Sequence, residues 1–415
     1  MRPDHVSPSP PSLRARRILL RGSWRTENIG DVGHTPGMLR LIHEYLPGVE
    51  VTLWPSDIGN GVEAMLLRAF PRLRIAQTEA ELKTALADCD LLLHGSATSL
   101  AQTDPIERWI QQGNKPYGVY GITLAPAGDK AQALVFNPGL TDRQRTLLSG
   151  ARFLYLRDGV SLKFARQAGI TCPVIEFGPD SAFGVKLRDD AKAAAFLQDR
   201  RLEDGRFLCV IPRLRNTPFW GVGRAPQTDF DKHKHAVNEQ NKEADFEKVR
   251  AALIAFVRET GLKVLLCPEC DDHMLLNKVM ILDRLPEDVR AKTVWYETFW
   301  PMDEAVGVYA RALGLLSMDM HSPIMATANG TPAIVCRWWQ QTSKGVMWQD
   351  IGLGDWLFDL DEEKNGDRIT SAVLSLARAP DAARARAAKA MDFVHERQRA
   401  TMSVMARELQ ARPAP

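Results

Sequence analysis

The sequence contains no apolar run near the roughly 20 residues needed to span a bilayer, so no membrane-crossing helix is expected. It also lacks a surplus of charge, with 53 basic side chains against 51 acidic ones and a formal net charge of +2. A polyanion finds no chain-wide basic field here, and nucleic acid is not expected as a partner. Cysteine is scarce, at 6 in 415 residues. Cys89, Cys172, Cys209, Cys267, Cys270 and Cys336 mostly lie inside or beside strand-like apolar runs. That scatter reads as reduced thiols in a cytoplasmic protein, not as a disulfide scaffold. Residues 1–17 are rich in Pro, Ser and Arg and lack the apolar centre of a secretory signal. They are expected to form a flexible tail.

What is present is the balance of a globular chain, 45% hydrophobic and 25% charged, long enough for two domains. Short β-branched or Leu-rich runs alternate with helical patterns, the signature of parallel βα units. Strands are expected at Arg17–Arg21, Val49–Trp54, Asp90–His94, Tyr117–Ile122, Phe153–Leu156 and Val174–Phe177. A second series follows at Phe207–Pro212, Lys263–Pro268, Thr293–Tyr296, Leu313–Ser317 and Ala333–Cys336. Between the two series, the polar, Ala-rich stretch Arg188–Asp204 reads as a linker helix. The expected organisation is α/β: Rossmann-like domains over 18–190 and 205–370 facing a cleft, then a helical segment over 371–415. Beyond Pro380, Ala387, Met391, Val394, Met405 and Leu409 form one apolar stripe. The segment Arg213–Glu243 breaks the pattern and is expected to be a long loop, either a lid or a floppy insertion.

The segments that could carry chemistry follow strand ends, where an open α/β sheet presents its ligand crevice. After the first strand comes Asn28-Ile29-Gly30-Asp31, which opens a helix. Its glycine allows close backbone approach and its helix N-terminus favours an anion. Asp31 either caps that helix or acts on a substrate hydroxyl. Arg157-Asp158-Gly159-Val160-Ser161 opens another helix, where Arg157 can fork onto a carboxylate or phosphate or make a local ion pair. Pro179-Asp180 is a turn at a strand end. In the second half Arg213 ends a strand and faces the crevice. Cys267-Pro268-Glu269-Cys270 ends the next, as an acidic turn whose single CxxC lacks the second pair of a structural zinc site. Ser317-Met318-Asp319-Met320-His321-Ser322 runs from strand into helix. His321 at that helix N-terminus meets a dipole that eases proton donation. No metal ligation is expected.

Taken in order, these segments resemble the polysaccharide pyruvyl transferase family over about residues 18–340. The family shows an N-x-G-D turn, an R-D-x-x-S element, a P-D turn, and a late R-L-H segment leading to A-x-x-x-G-x-P. The matches here are Asn28, Gly30 and Asp31; Arg157, Asp158 and Ser161; Pro179 and Asp180; His321; and Ala326, Gly330 and Pro332. The chain departs from the pattern twice. Asp319 stands where the family has an arginine two positions before the histidine, and Gly95-Ser96-Ala97-Thr98 replaces a glycine-rich turn. Arg213, Arg337 and Arg157 are the candidates to restore the lost positive charge.

The resemblance implies a glycosyltransferase-B-like architecture. It also implies transfer of a pyruvyl group from phosphoenolpyruvate to sugar hydroxyls as a cyclic ketal, in cell-surface polysaccharide synthesis. Phosphoenolpyruvate enters as co-substrate and no cofactor is expected. His321 is the expected general acid. Arg213, with Asp319, Glu269 and Ser322, lines the donor side. Asp31 is expected to orient or deprotonate the acceptor, and Asn28, Gly30, Arg157, Asp158 and Asp180 line the acceptor side. The acceptor is a saccharide, free or lipid-linked, and no oligomeric state is assigned. Two rivals stand beside this: a glycosyltransferase using a nucleotide-sugar donor, and a non-catalytic saccharide-binding member. Trp220, Trp338, Trp339, Trp348 and Trp356 suit sugar stacking or ordinary core packing. Arg384, Arg386, Arg397, Arg399 and Arg407 line the polar face of the last helix, so membrane contact is at most peripheral.

Overall fold

The computed structural model describes residues 15–100, 102–113, 115–124, 140–218 and 226–411. The first half builds one sheet from β1 (Arg17–Gly22), β2 (Glu50–Pro55), β3 (Arg74–Ile75), β4 (Leu91–His94), β5 (Ala97–Thr98), β6 (Tyr117–Thr123), β7 (Leu154–Leu156) and β8 (Ile175–Phe177). Its strand order is β3-β2-β1-β4-β6-β7-β8, with β5 paired to β6, and every pairing is parallel. The second half repeats the plan with β9 (Phe207–Ile211), β10 (Lys263–Leu266), β11 (Thr293–Trp295), β12 (Gly314–Ser317), β13 (Ala333–Arg337) and β14 (Leu357–Asp359). Here the order is β11-β10-β9-β12-β13-β14, again parallel throughout. Each sheet reverses its winding beside its first strand, between β1 and β4 and between β9 and β12. A doubly wound sheet opens its crevice at that point.

Helices cover both faces, so the central strands read as continuous apolar runs rather than as alternations. Leu91, Leu92 and Leu93 are all buried, and Ile18 and Leu20 enter one core while Leu19 enters the other. The core containing Ile18 and Leu20 continues through the second domain. β3, β5 and β14 lie outside the expected strands. β3 and β5 are two residues long and β14 is three, too short to register as a period.

The expected linker helix forms at Asp190–Asp199, capped by Asp189, and sits against the helix Met302–Tyr309. The last helix, Pro380–Gln410, buries the predicted stripe and crosses both halves. Arg386 pairs with Asp355 in the second domain. Arg397 reaches Glu176 and the Phe177 carbonyl, and Thr401 meets the Tyr120 hydroxyl at 3.1 Å, both in the first domain. Of the expected tail, residues 1–14 lie outside the described residues, and Arg17 already belongs to β1.

The long loop expected at 213–243 is corrected. A 32-residue helix, Asp229–Thr260, begins with a capping box between Thr228 and Asp231 and ends at Gly261 in the left-handed region. Ion pairs three residues apart, such as Lys242–Glu239, support its polar first half. Residues just after β9 are anchored to this helix. Arg215 forks onto Asp245, and the Asn238 amide donates to the Asn216 carbonyl and accepts from the Asn216 amide nitrogen. These polar anchors left no apolar period for the sequence to display. Residues 219–225, Trp220 among them, lie outside the described residues.

Candidate active site

The site assembles where the C-terminal ends of β1, β9, β10 and β12 meet between the two halves. After β1 the chain turns at Asn28, whose side chain accepts from the Gly30 and Asp31 amides and caps the helix Ile29–Tyr45. The cap is therefore Asn28. Asp31, the alternative cap, keeps a partly exposed carboxylate in the first turn. The same turn docks on the second domain, with the Ile29 amide donating to the Glu269 carbonyl at 3.0 Å and the Asp271 amide donating to the Glu27 carbonyl at 3.2 Å. Gly30 lies directly against the His321 ring, and a methyl group there would overlap the imidazole. The close approach expected of this glycine is thus made to His321 itself.

His321 opens the helix His321–Ala328 after β12 and is 4% exposed. Its Nε2 lies 3.2 Å from His34 Nε2, and its Nδ1 lies 3.4 Å from Glu269 Oε1. His34 Nε2 in turn sits 3.4 Å from Asp180 Oδ1, and Arg157 donates to Asp180 Oδ2 at 2.6 Å. The result is a buried polar chain across the domain junction: Glu269, His321, His34, Asp180 and Arg157. Burial pushes the His321 imidazole down to about 3, with His34 and Lys344 adding to the effect. Burial and the nearby Asp319 push Glu269 up to about 8. Both shifts have the same physical cause, loss of water around a charge, and they make this pair neutral rather than ionic at pH 7. Burial opposes ionisation of Asp180, yet His34, Arg157 and His321 together hold it well below the usual carboxylate range.

Beside this chain is a second cluster. Arg213, after β9, donates to Asp319 Oδ2 at 3.0 Å, and Lys344 Nζ lies 3.6 Å from Asp319 Oδ1. Burial disfavours the Asp319 charge, but Arg213 and Lys344 reverse the balance and hold it far below the usual range. The carboxylate is thus an anion seated between two cations. Arg213 further donates to the Leu214 carbonyl and the Thr217 hydroxyl.

The predicted residues therefore separate. His321, Glu269, Asp319, Arg213, Asn28, Gly30 and Asp31 converge at the junction. Arg157, Asp158 and Asp180 are fully buried and do not face an open acceptor surface. Asp158 caps the helix Gly159–Gln167 through the Ser161 amide, and Arg157 pairs with Asp180 rather than within its own turn. Ser322 is also buried, its amide donating to Glu269 Oε2 at 2.7 Å. Of the arginines considered for the missing charge, Arg213 alone reaches Asp319, because Arg337 pairs with Asp359 and Arg157 with Asp180. Of the two roles open to the tryptophans, Trp338, Trp348 and Trp356 take the core-packing one.

Sequence reasoning missed His34, Lys344 and a tryptophan-bearing cavity. His34 lies four residues after Gly30 on one helix, so the two share a face, and that spacing was the available signal. Lys344 carries no local signal, since only tertiary folding brings it to Asp319. The cavity, of about 550 Å³, is lined by Arg21, Trp54, Gln102, Thr103, Arg108 and Arg143 near the ends of β1 and β2.

Two doubly wound parallel sheets, joined at their strand ends and tied by a C-terminal helix, define the glycosyltransferase-B fold. Solved structures of this class match nearly the whole chain. The S. aureus MnaA–UDP co-structure has a TM-score of 0.55 at 11% identity, covering 90% of each chain. Anabaena Alr3699/HepE in complex with UDP has a TM-score of 0.55 at 11% identity, covering 95% of this chain and 98% of that one. E. coli ADP-heptose LPS heptosyltransferase II has a TM-score of 0.50 at 12% identity, covering 88% and 99%. At such identities the likeness is one of fold. No curated protein matches the chain. The profile of the family described as polysaccharide pyruvyl transferase matches residues 28–340, and the chain belongs to that family. Among the described residues, no helix is long and apolar enough to cross a membrane.

Proposed function

We propose that this transferase moves a pyruvyl group from phosphoenolpyruvate to neighbouring hydroxyls of a saccharide. The observation that carries this reading is the Asp319 carboxylate seated between Arg213 and Lys344, beside His321 at the domain junction. A seat already built for a carboxylate suits the carboxylate or phosphate of an enolpyruvyl donor. In this scheme the Asp319 side chain swings aside and the donor takes its place. Lys344 then supplies the cation that the family's arginine would provide.

The chemistry needs a proton on the methylene carbon of the donor, which leaves an oxocarbenium-like centre. An acceptor hydroxyl attacks that centre and loses its proton. A neighbouring hydroxyl then displaces phosphate, and the ketal closes. Asp31, partly exposed in the first turn of its helix, takes the hydroxyl proton. His321 takes up its proton while the halves are apart, because burial in the closed arrangement keeps its ring neutral, and gives it to the bound donor as they close. Closure after binding excludes water from the cationic centre. Trp54 and the arginines of the neighbouring cavity offer the acceptor a stacking and hydrogen-bonding surface.

A nucleotide-sugar donor is the second reading. It is supported by fold neighbours solved with UDP and by carboxylates at the junction able to accept ribose hydroxyls. Phosphate release from phosphoenolpyruvate, measured with and without a panel of free and lipid-linked saccharides, separates the two. Acceptor-dependent release that disappears in His321→Ala supports pyruvyl transfer. No release together with turnover of a nucleotide sugar overturns it, and sugar binding without turnover of either donor leaves a saccharide-binding protein.

A further inference from the structure

We propose that His34, Asp180 and His321 form a binding site for a divalent transition-metal ion, zinc above all, that clasps the two halves of the enzyme together. His34 and Asp180 belong to the first domain and His321 to the second. Their coordinating atoms point at one place: His34 Nε2 is 3.2 Å from His321 Nε2 and 3.4 Å from Asp180 Oδ1, and all three lie within 4.8 Å of one another. Zinc bonds of about 2.0–2.2 Å in tetrahedral array place neighbouring ligand atoms roughly 3.4 Å apart. The two contacts of His34 already have that spacing.

Hydrogen bonding has one proton to divide between the two contacts. If His34 Nε2 carries it, the N–H is shared between His321 Nε2 at 3.2 Å and Asp180 Oδ1 at 3.4 Å, both long, and Asp180 Oδ1 already accepts from the Ala182 amide at 2.9 Å. If His321 Nε2 donates instead, the bare His34 Nε2 faces a carboxylate oxygen. A cation at the shared point gives each of the three atoms a full partner. Imidazole and carboxylate are also the donor set that zinc takes in sites with an open fourth position.

The surroundings fit a metal centre as well. A ligating histidine usually donates its other ring N–H to a carboxylate. His321 Nδ1 points at Glu269 Oε1 at 3.4 Å, and both atoms are buried without a hydrogen-bond partner. With zinc on Nε2, Nδ1 must carry a proton and Glu269 receives it. Asp180 is oriented on its other oxygen by Arg157 at 2.6 Å. The buried His34 Nδ1 has no protein partner in the structure.

This inference is independent of the pyruvyl reading and constrains it. Zinc takes the imidazole nitrogen that proton donation needs and closes the junction that substrate must enter. The metal-loaded enzyme is therefore expected to be held shut. The test is zinc titration of the full chain after chelator treatment, followed by direct binding and by thermal unfolding. The expected result is one zinc per chain with a raised unfolding temperature. His34→Gln and His321→Gln should each weaken binding at least tenfold. Glu269→Gln, which keeps the acceptor for the Ser322 amide, should weaken it by about tenfold by removing the carboxylate that faces His321 Nδ1. It serves as the readout if a histidine variant misfolds. Absence of stoichiometric zinc overturns the proposal. So does binding that survives all three substitutions but is lost in Cys270→Ser, which would place the ion on the neighbouring Cys270, Asp272 and His273. A zinc-free enzyme that fails to release phosphate from phosphoenolpyruvate counts against the function, not against this site.

Discussion

Asp319→Asn tests the charge logic of the site directly. Its carboxylate meets Arg213 at 3.0 Å and Lys344 at 3.6 Å. At an effective dielectric of about 20, each attraction amounts to about 5 kcal/mol before desolvation is counted. Desolvation cancels much of this, and removing one partner of a buried pair typically costs about 3–5 kcal/mol. Asparagine keeps the oxygen that accepts from the Met320 amide, and Arg213 keeps its bonds to Leu214 and Thr217. The loss is therefore expected at the lower end, about 3 kcal/mol, or roughly 6–12 °C in unfolding temperature for domains of this size. The variant leaves two cations facing a neutral side chain, so an anionic ligand that displaces it should restore what the mutation removed. Phosphoenolpyruvate at a hundred times its dissociation constant would return about 2.7 kcal/mol. Differential scanning fluorimetry with increasing phosphoenolpyruvate, against chloride at matched ionic strength, reads this out. If Asp319→Asn is as stable as the wild type, or chloride rescues it as well as phosphoenolpyruvate does, the seat is not an anion site for the donor.

Three further outcomes are expected. Gly30→Ala should lower stability by about 1–3 kcal/mol by driving the helix off His321. Combining it with His321→Ala should cost less than the sum of the two single changes, a coupling that chemical denaturation measures. His94 is buried at the end of β4, and burial lowers its pKa to about 4, below the unfolded value near 6.5. The unfolded chain therefore takes up the proton first, and stability should fall as pH drops from about 6.5 to about 4, by about 3 kcal/mol in all. His321 titrates in the same direction, so the difference between wild type and His94→Gln isolates this contribution. Tyr120→Phe removes the buried contact to Thr401 and should cost about 1 kcal/mol, seen as earlier exchange of amides in the last helix.

Several features could be read from the chain alone because their physics is local. Apolar runs flanked by turn residues mark β1, β4, β9 and β12 whatever surrounds them, and a strand buried on both faces must be apolar throughout. The caps at Asn28 and Asp158 depend only on residues two or three positions away. The order of short motifs was likewise sufficient to recognise the family. The helix beginning at Asp229 escaped because its first half is held by a capping box, ion pairs and amide contacts, none of which leaves an apolar period. Tertiary structure decided the rest, since burial and charge pairing join residues far apart in the chain. Whether Arg157 meets a ligand or Asp180 depends on how β7 and β8 lie side by side. Whether Asp319 is a defect or half of a charge cluster depends on Arg213 and Lys344, each reaching it from a separate segment. Sequence placed His321 at a strand end. That it faces His34, Asp180 and Glu269 across a closed junction was decided only when the two halves met.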